Sequence, residues 1–366
     1  MVGESALFAV ALLAGGNRVL LENLTATDSG TRYRAAYALA HTYDTSNTNE
    51  ADAVRRLILT GLPGEQAAAA DGAQQRRWPN GRLPDDIADS IFPTTIRREP
   101  LGRQFSLPGM TTVPPLHDGL RLLAPDRARR VMAGKPGFEA SHFEWWLRAA
   151  EPAAQRQTLE ASGDWDRRRL NLLSKPGTRP PCFNECLAEL MWVSWMGMDM
   201  APILEIRKPP TTEVDWWTQT MIRLVAAAGG DRGALATLAA HVPQISEAET
   251  RGALLVWLVT LPPGIEIHET VRPVLVNAAA SDPNPQIRRY AIELLAIRPE
   301  MYAYRGAAEA FANALGDADP DVRARAACEL WDLVPLSPEI AGKVRAAAHH
   351  EKDAVIGAVL RSTLER

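Results

Sequence analysis

Ten tryptophans stand in this chain of 366 residues, and six of them are placed where a binding surface could use them. Glu144-Trp145-Trp146 and Asp215-Trp216-Trp217 are two acid-Trp-Trp triplets set 71 residues apart, with Trp192 and Trp195 between them. Neighbouring residues on a helix point ~100° apart, so both rings of a triplet cannot enter one core. At least one ring of each pair is left for solvent or for another segment. Trp and Arg are the usual anchors of a binding partner, and Met191, Met196, Met198 and Met200 would give such a groove an adaptable lining. Trp145, Trp146, Trp192, Trp195, Trp216 and Trp217 are therefore the candidate binding residues, for a protein or peptide partner or for a small apolar ligand. The competing reading is that these rings pack an irregular core, because aromatic side chains dominate cores as well.

For general acid and base chemistry the candidates are His142, Glu144, Asp199 and Asp215, with His117 beside Asp118. None lies in a recognised signature: the chain has no phosphate-binding glycine loop, nucleophile elbow or dinucleotide fingerprint. No catalytic residue is assigned, and no cofactor is expected. Cys182 and Cys186 would share one helix face, but zinc needs two more ligands and His142 is the only imidazole nearby, so no metal site is expected. Three cysteines are too few for a disulfide framework, and the default compartment is the cytoplasm.

Arginine clusters at Arg97-Arg98 with Arg103, at Arg127 to Arg130 and at Arg167-Arg168-Arg169 could follow a phosphate backbone. Against this stand a formal charge of −4, the interleaved Asp126, Asp164 and Asp166, and only 5 Lys beside 35 Arg. Nucleic acid is not expected. A GC-rich, bacterial-like genome gives that arginine bias with no function attached.

What must position these residues is mostly helix. At 46% hydrophobic and 23% charged the chain is ordinary for a folded protein, but 366 residues exceed what one core usually holds. A stacked array removes the conflict. Ser281-Asp282-Pro283-Asn284-Pro285-Gln286-Ile287-Arg288-Arg289-Tyr290-Ala291 is answered 35 residues later by Gly316-Asp317-Ala318-Asp319-Pro320-Asp321-Val322-Arg323-Ala324-Arg325-Ala326. Asp offers its carboxylate to free backbone N–H groups and Pro cannot continue a helix, so each copy is a turn. After the turn Ile287, Ala291 and Leu295, like Val322, Ala326 and Leu330, recur at i, i+4 and i+8, one stripe of a helix that needs a partner helix before it. Four such hairpins run over 232–261, 269–297, 304–334 and 338–364. In the last of them His349-His350-Glu351-Lys352 replaces the Asp/Pro turn.

These copies resemble the HEAT-repeat family, whose second helix opens with Asp, a few turn residues and Val-Arg-x-x-Ala-x-x-x-Leu. The resemblance implies that Asp282 with Arg288, and Asp317 with Arg323, join in a hydrogen-bond ladder between neighbouring units. It implies a scaffold rather than an activity. Near the start, Arg32, Ala35 and Leu39 fit half of the motif, with the register open because Asp28 lies four residues before Arg32 and six before Arg34. Some HEAT-repeat proteins are DNA glycosylases that grip damaged duplex on a Trp- and Arg-lined concave face.

The expected fold is all-α, a superhelical stack of HEAT-like hairpins with a long irregular Pro-rich insertion. Its expected divisions are N-terminal helical repeats over 1–62, the insertion over 63–137, a Trp/Met-rich helical middle over 138–230 and C-terminal repeats over 231–366. Ten prolines between 63 and 136 are expected to leave only short helical pieces, near Ala67 to Gln75 and Asp118 to Met132. The apolar start Met1 to Leu13 has an acid where a signal peptide needs a base and reads as a buried helix. Leu187 to Ile206 is interrupted by Glu189, Asp199 and Glu205, so no membrane span is expected. The function expected is a non-catalytic protein- or peptide-binding scaffold with a concave or Trp-lined groove. The alternatives are an enzyme with its pocket in the Trp/Met-rich middle and, third, DNA or RNA binding.

Overall fold

The computed structural model describes residues 17–78, 84–97, 130–131, 220, 223–224, 226–227, 229–259, 261, 265–297 and 305–366. The protein is all-α: among the described residues every regular element is a helix. In chain order these are α1 (Arg18–Asn23), α2 (Ser29–Thr42), α3 (Thr48–Thr60), α4 (Pro63–Gln75), α5 (Asp85–Arg97), α6 (Arg232–His241), a 3-10 turn (Val242–Gln244), α7 (Ala248–Val259), α8 (His268–Ser281), α9 (Pro285–Ile297), α10 (Arg305–Ala314), α11 (Pro320–Asp332), α12 (Pro338–His350) and α13 (Ala354–Glu365). They fall into two compact units, one formed by 1–95 with 276–366 and the other by 96–275.

Short polar signals start the helices. Asp28, Asn47, Asp231, Asp319, Ser337 and Asp353 each accept backbone N–H groups of the first turn of the helix that follows. Pro63, Pro285, Pro320 and Pro338 occupy the first helical position, where the missing N–H has no helical partner to lose. The same rule corrects the reading of the proline-rich stretch. Pro63 opens α4, Pro84 precedes the first turn of α5 and its carbonyl accepts the Ala88 N–H at 2.9 Å, and α5 runs on through Pro93. Helix α4 contains the piece expected near Ala67 to Gln75 and starts four residues earlier, and α5 stands where no helix was expected. A proline is no obstacle to a helix that begins at it, and Pro93 shows that one inside a helix does not always end it.

In the unit formed by 96–275, α6 and α7 are joined through the 3-10 turn, and Leu254, Leu255, Trp257 and Leu258 are buried. In the other unit the C-terminal hairpins stack. Helix α10 packs on α11 and α12 on α13, while the second helices follow one another as α9 on α11 and α11 on α13. The expected stripes form the seams: Ile287, Ala291, Leu295, Val322, Ala326 and Leu330 are all buried, with Phe311 and Leu315 against them.

Three of the first five helices pack on this stack. Helix α1 packs on α13, α2 on both α11 and α13, and α4 on α9. Helices α2 and α4 lie against each other closely enough that a Cβ on Gly72 would meet the Tyr37 carbonyl oxygen at 2.3 Å. That approach is made of small residues: Ala35, Ala36, Ala38 and Ala40 on one side, Ala67 to Ala70 and Ala73 on the other, all buried. The second helices of the C-terminal hairpins thus carry the N-terminal helices on the face they would otherwise present.

Candidate functional site

Each ladder arginine sits six residues beyond a turn residue whose carbonyl it binds. Arg288 donates from Nη1 to the Asp282 carbonyl at 2.8 Å and reaches the next unit through Nε and Nη2, which meet the Asp317 carboxylate at 2.6 and 2.8 Å. Arg323 repeats this, from Nη1 to the Asp317 carbonyl at 2.9 Å and from Nε and Nη2 to the Glu351 carboxylate at 2.8 and 3.1 Å. The carboxylates are tied down as well, since Asp317 accepts the Asp319 N–H and Glu351 the Asp353 N–H. Glu351 therefore does the work of the missing Asp in the last turn. At the other end of the chain Arg32 donates to the carbonyls of Ala26 and Thr27 and to Glu65 Oε1 at 2.8 Å, which makes it the ladder residue and settles the register. Arg251 binds the Ile245 and Ser246 carbonyls in the same way.

A fork of two parallel charge-assisted bonds cannot be made by an ammonium. Replacing Arg323 by alanine is expected to cost about 1–2 kcal/mol, the lower part of the usual range because the pair is not fully buried. Arg323→Lys should recover less than half of that. Urea midpoints of the two variants at one pH decide the matter.

The second constellation was not foreseen. Where α2 and α4 meet α9 and α11, charged and aromatic side chains from all four helices converge. Arg325, whose side chain keeps 4% of its surface, donates from Nε to Glu293 Oε1 at 2.9 Å. Its Nη2 lies 2.5 Å from the same oxygen and 3.4 Å from Asp71 Oδ2, and its guanidinium covers the Tyr37 ring at 4.1 Å. His41, fully buried, places Nε2 3.0 Å from Asp332 Oδ2 and Nδ1 3.4 Å from the Tyr37 hydroxyl. Asp332 also accepts the Arg77 N–H at 2.7 Å. Arg76 lies over the rings of Trp78, Tyr43 and Trp331 at 4.4, 5.1 and 5.1 Å. On the flank Arg34 bridges α2 to the starts of α11 and α13, through Asp321 at 2.9 Å and Asp353 at 3.0 Å.

Burial drives the protonation of this cluster. It pushes the Glu293 carboxyl up to about 8 against the pull of Arg289, with Asp71 and Glu329 pushing the same way. It likewise lifts Glu329 to about 7, opposed by His41 and Arg325. Asp71 is raised by the same cause, an effect tempered by the 37% of its side-chain surface that stays exposed. For His41 burial opposes the imidazolium, but Asp332 and then Glu329 outweigh it and raise its affinity for a proton. An imidazolium there sits in charge contact with Asp332 through Nε2 and can donate from Nδ1 to the Tyr37 hydroxyl. Beside the cluster Tyr33, Tyr37, Arg34, Arg289 and Arg325 line a cavity of about 20 Å³, room for roughly one water. This arrangement clamps helices together.

A larger, open groove of about 570 Å³ runs between α10 and α12 over Ala312, Leu315, Ala346 and Ala347. Lys343 closes one side by donating to Asn313 Oδ1 at 2.9 Å. His350, at the end of α12, stands on the rim of this groove.

The residues singled out from the sequence lie elsewhere. His142, Glu144, Asp199 and Asp215, and Trp145, Trp146, Trp192, Trp195, Trp216 and Trp217, are outside the described residues, as are His117, Cys182 and Cys186. Cys328 is described and its thiol is pushed up by burial. Among the described residues no group of His, Cys, Asp and Glu could hold a metal ion, and no helix is long and apolar enough to cross a membrane.

The ladder, the hairpin pairing and the turn chemistry all have one known counterpart. A family model for HEAT repeats matches residues 272–364. That segment is a HEAT-repeat array. It begins inside α8 and takes in every hairpin of the C-terminal stack, so Arg288, Asp317, Arg323 and Glu351 are HEAT ladder residues. The crystal structure of an engineered protein aligns with 96% of this chain and 98% of its own length at 15% identity and a TM-score of 0.35, a likeness too loose to carry an argument. No curated protein matches the chain.

Proposed function

We propose that the protein is a non-catalytic scaffold that binds a protein or peptide segment. HEAT repeats make a helical-repeat scaffold, and a fold of that kind binds through its surface rather than through a conserved reaction centre. One observation supports this choice of site: α9, α11 and α13 are covered by the chain's own α1, α2 and α4. The second-helix face of the C-terminal hairpins is thereby occupied from within. The partner site we propose is the tryptophan-rich stretch over 138–230, with Trp145, Trp146, Trp192, Trp195, Trp216 and Trp217 as its anchors.

The test is capture from the native organism's lysate with untargeted small-molecule analysis of what elutes. The wild-type chain is expected to retain a protein partner, and Trp145→Ala with Trp216→Ala to lose it while its circular dichroism stays native. A double variant that melts or aggregates would show that the rings are core. A small molecule eluting without any protein would favour the enzyme reading, with its pocket in the same stretch.

A further inference from the structure

We propose that the contact of α2 and α4 with α9 and α11 is a proton-linked latch, closed while its buried acid cluster holds protons and loosened as those protons leave. The geometry crowds two acids onto one cation. Glu293 Oε1 and Asp71 Oδ2 approach one nitrogen, Arg325 Nη2, at 2.5 and 3.4 Å, so these two oxygens are no more than about 6 Å apart. Two carboxylates that close raise each other's affinity for a proton and titrate as a pair, while the guanidinium between them pulls the other way.

The groups that face them come from every helix of the contact. Around Glu293 stand Arg289 on its own helix, Asp71 from α4, Arg325 and Glu329 from α11, and Tyr33 from α2. Around Glu329 stand His41 from α2, Arg325 and Asp332 on its own helix, and Arg77 just beyond α4. The cations are already engaged: Arg325 by Glu293 and Tyr37, His41 by Asp332, Arg289 by Glu293 at 3.4 Å.

The sign follows from linkage. Glu293, Glu329, Asp71 and His41 all bind a proton more tightly in the folded chain than free in solution. Each therefore contributes stability that is present at low pH and is lost as the pH rises through its folded value. For the two groups with values, the loss runs from the ordinary carboxylate value of 4.5 up to about 7 for Glu329 and about 8 for Glu293. Arg289, Arg325 and His41 pull the other way without reversing the direction. What a loosened latch would expose is the face of α9 and α11 that α2 and α4 cover, so proton release would make a second surface of the scaffold available.

Hydrogen exchange read by mass spectrometry, corrected for intrinsic rates, tests this on the full chain at pH 6 and pH 8.5. Amides of Tyr33 to His41 in α2 are expected to lose at least tenfold in protection at the higher pH. Amides of α12, which packs on α10 and α13, should change less than twofold. In Glu293→Gln/Glu329→Gln the loss should fall to threefold or less, the remainder belonging to His41 and Asp71. Should that chain not fold, Glu329→Gln alone must cut the wild-type loss by at least half. Equal protection of α2 at both pH values, an equal loss in α12, or a loss undiminished by the glutamines overturns the proposal.

Discussion

Arg325→Ala is expected to destabilise the unit formed by 1–95 with 276–366 by about 3–5 kcal/mol, the usual cost of removing one partner from a buried ion pair. For a unit of this size that is a fall of about 6–20 °C in the melting temperature. The guanidinium holds Glu293 through Nε and Nη2, meets Asp71 from α11 at 3.4 Å and gives Tyr37 a stacked cation. Without it two carboxylates stay close together with Arg289 as the remaining neighbouring cation. They can respond only by keeping protons or by drawing in water. The loss should therefore be smaller at pH 6 than at pH 9: below about 8 Glu293 is held neutral in the intact protein, and a neutral acid suffers less from the missing arginine. Replacing the pair together, as Arg325→Met with Glu293→Leu, should recover at least half of the stability, since a buried pair exchanged for apolar groups of similar size is often neutral. Thermal and urea unfolding of the three chains at the two pH values measure this, and a loss below about 1 kcal/mol for the single variant would count against a buried clamp.

A second large effect is expected from one methyl group. In Gly72→Ala the new Cβ would sit 2.3 Å from the Tyr37 carbonyl oxygen and 3.1 Å from its carbon. These are backbone atoms of a helix, so no side chain can swing aside, and the buried alanines around them leave no slack. Helices α2 and α4 must move apart, at a cost of about 3 kcal/mol or more for overpacking. The same exchange at Gly342, inside α12 with nothing within 4 Å of its Cβ position, should stabilise by about 0.5–1 kcal/mol, because alanine is the better helix former. Urea midpoints of opposite sign for the two variants establish that close approach, rather than glycine content, is what matters at residue 72.

Much of the local structure was legible. The Asp/Pro turns, the stripes through Ile287 and Val322, and the ladder arginines 288 and 323 follow from spacing, because a helix repeats every 3.6 residues and a turn needs caps. Two things were legible but ambiguous. Arg32 and Arg34 both suited a ladder position, and only the hydrogen bonds assign Arg32 to the Ala26 carbonyl and Arg34 to Asp321 and Asp353. The prolines at 63 and 84 marked helix boundaries, but a proline does not say whether a helix ends before it or begins after it.

By itself the amino-acid sequence determined the class of the protein, the hairpins of its C-terminal HEAT repeats and the residues that cap and rung them, since all of these depend on neighbours within one or two turns of the chain. Only the tertiary structure decided that α2 and α4 lie on α9 and α11. Arg325 meets Asp71 across 254 residues and Arg34 meets Asp321 across 287, and an ion pair has no period, so nothing in the order of the residues marks which charge will meet which. The choice is made by packing: alanine-lined helices come close enough to seal those charges away from water, and once sealed each must find a partner.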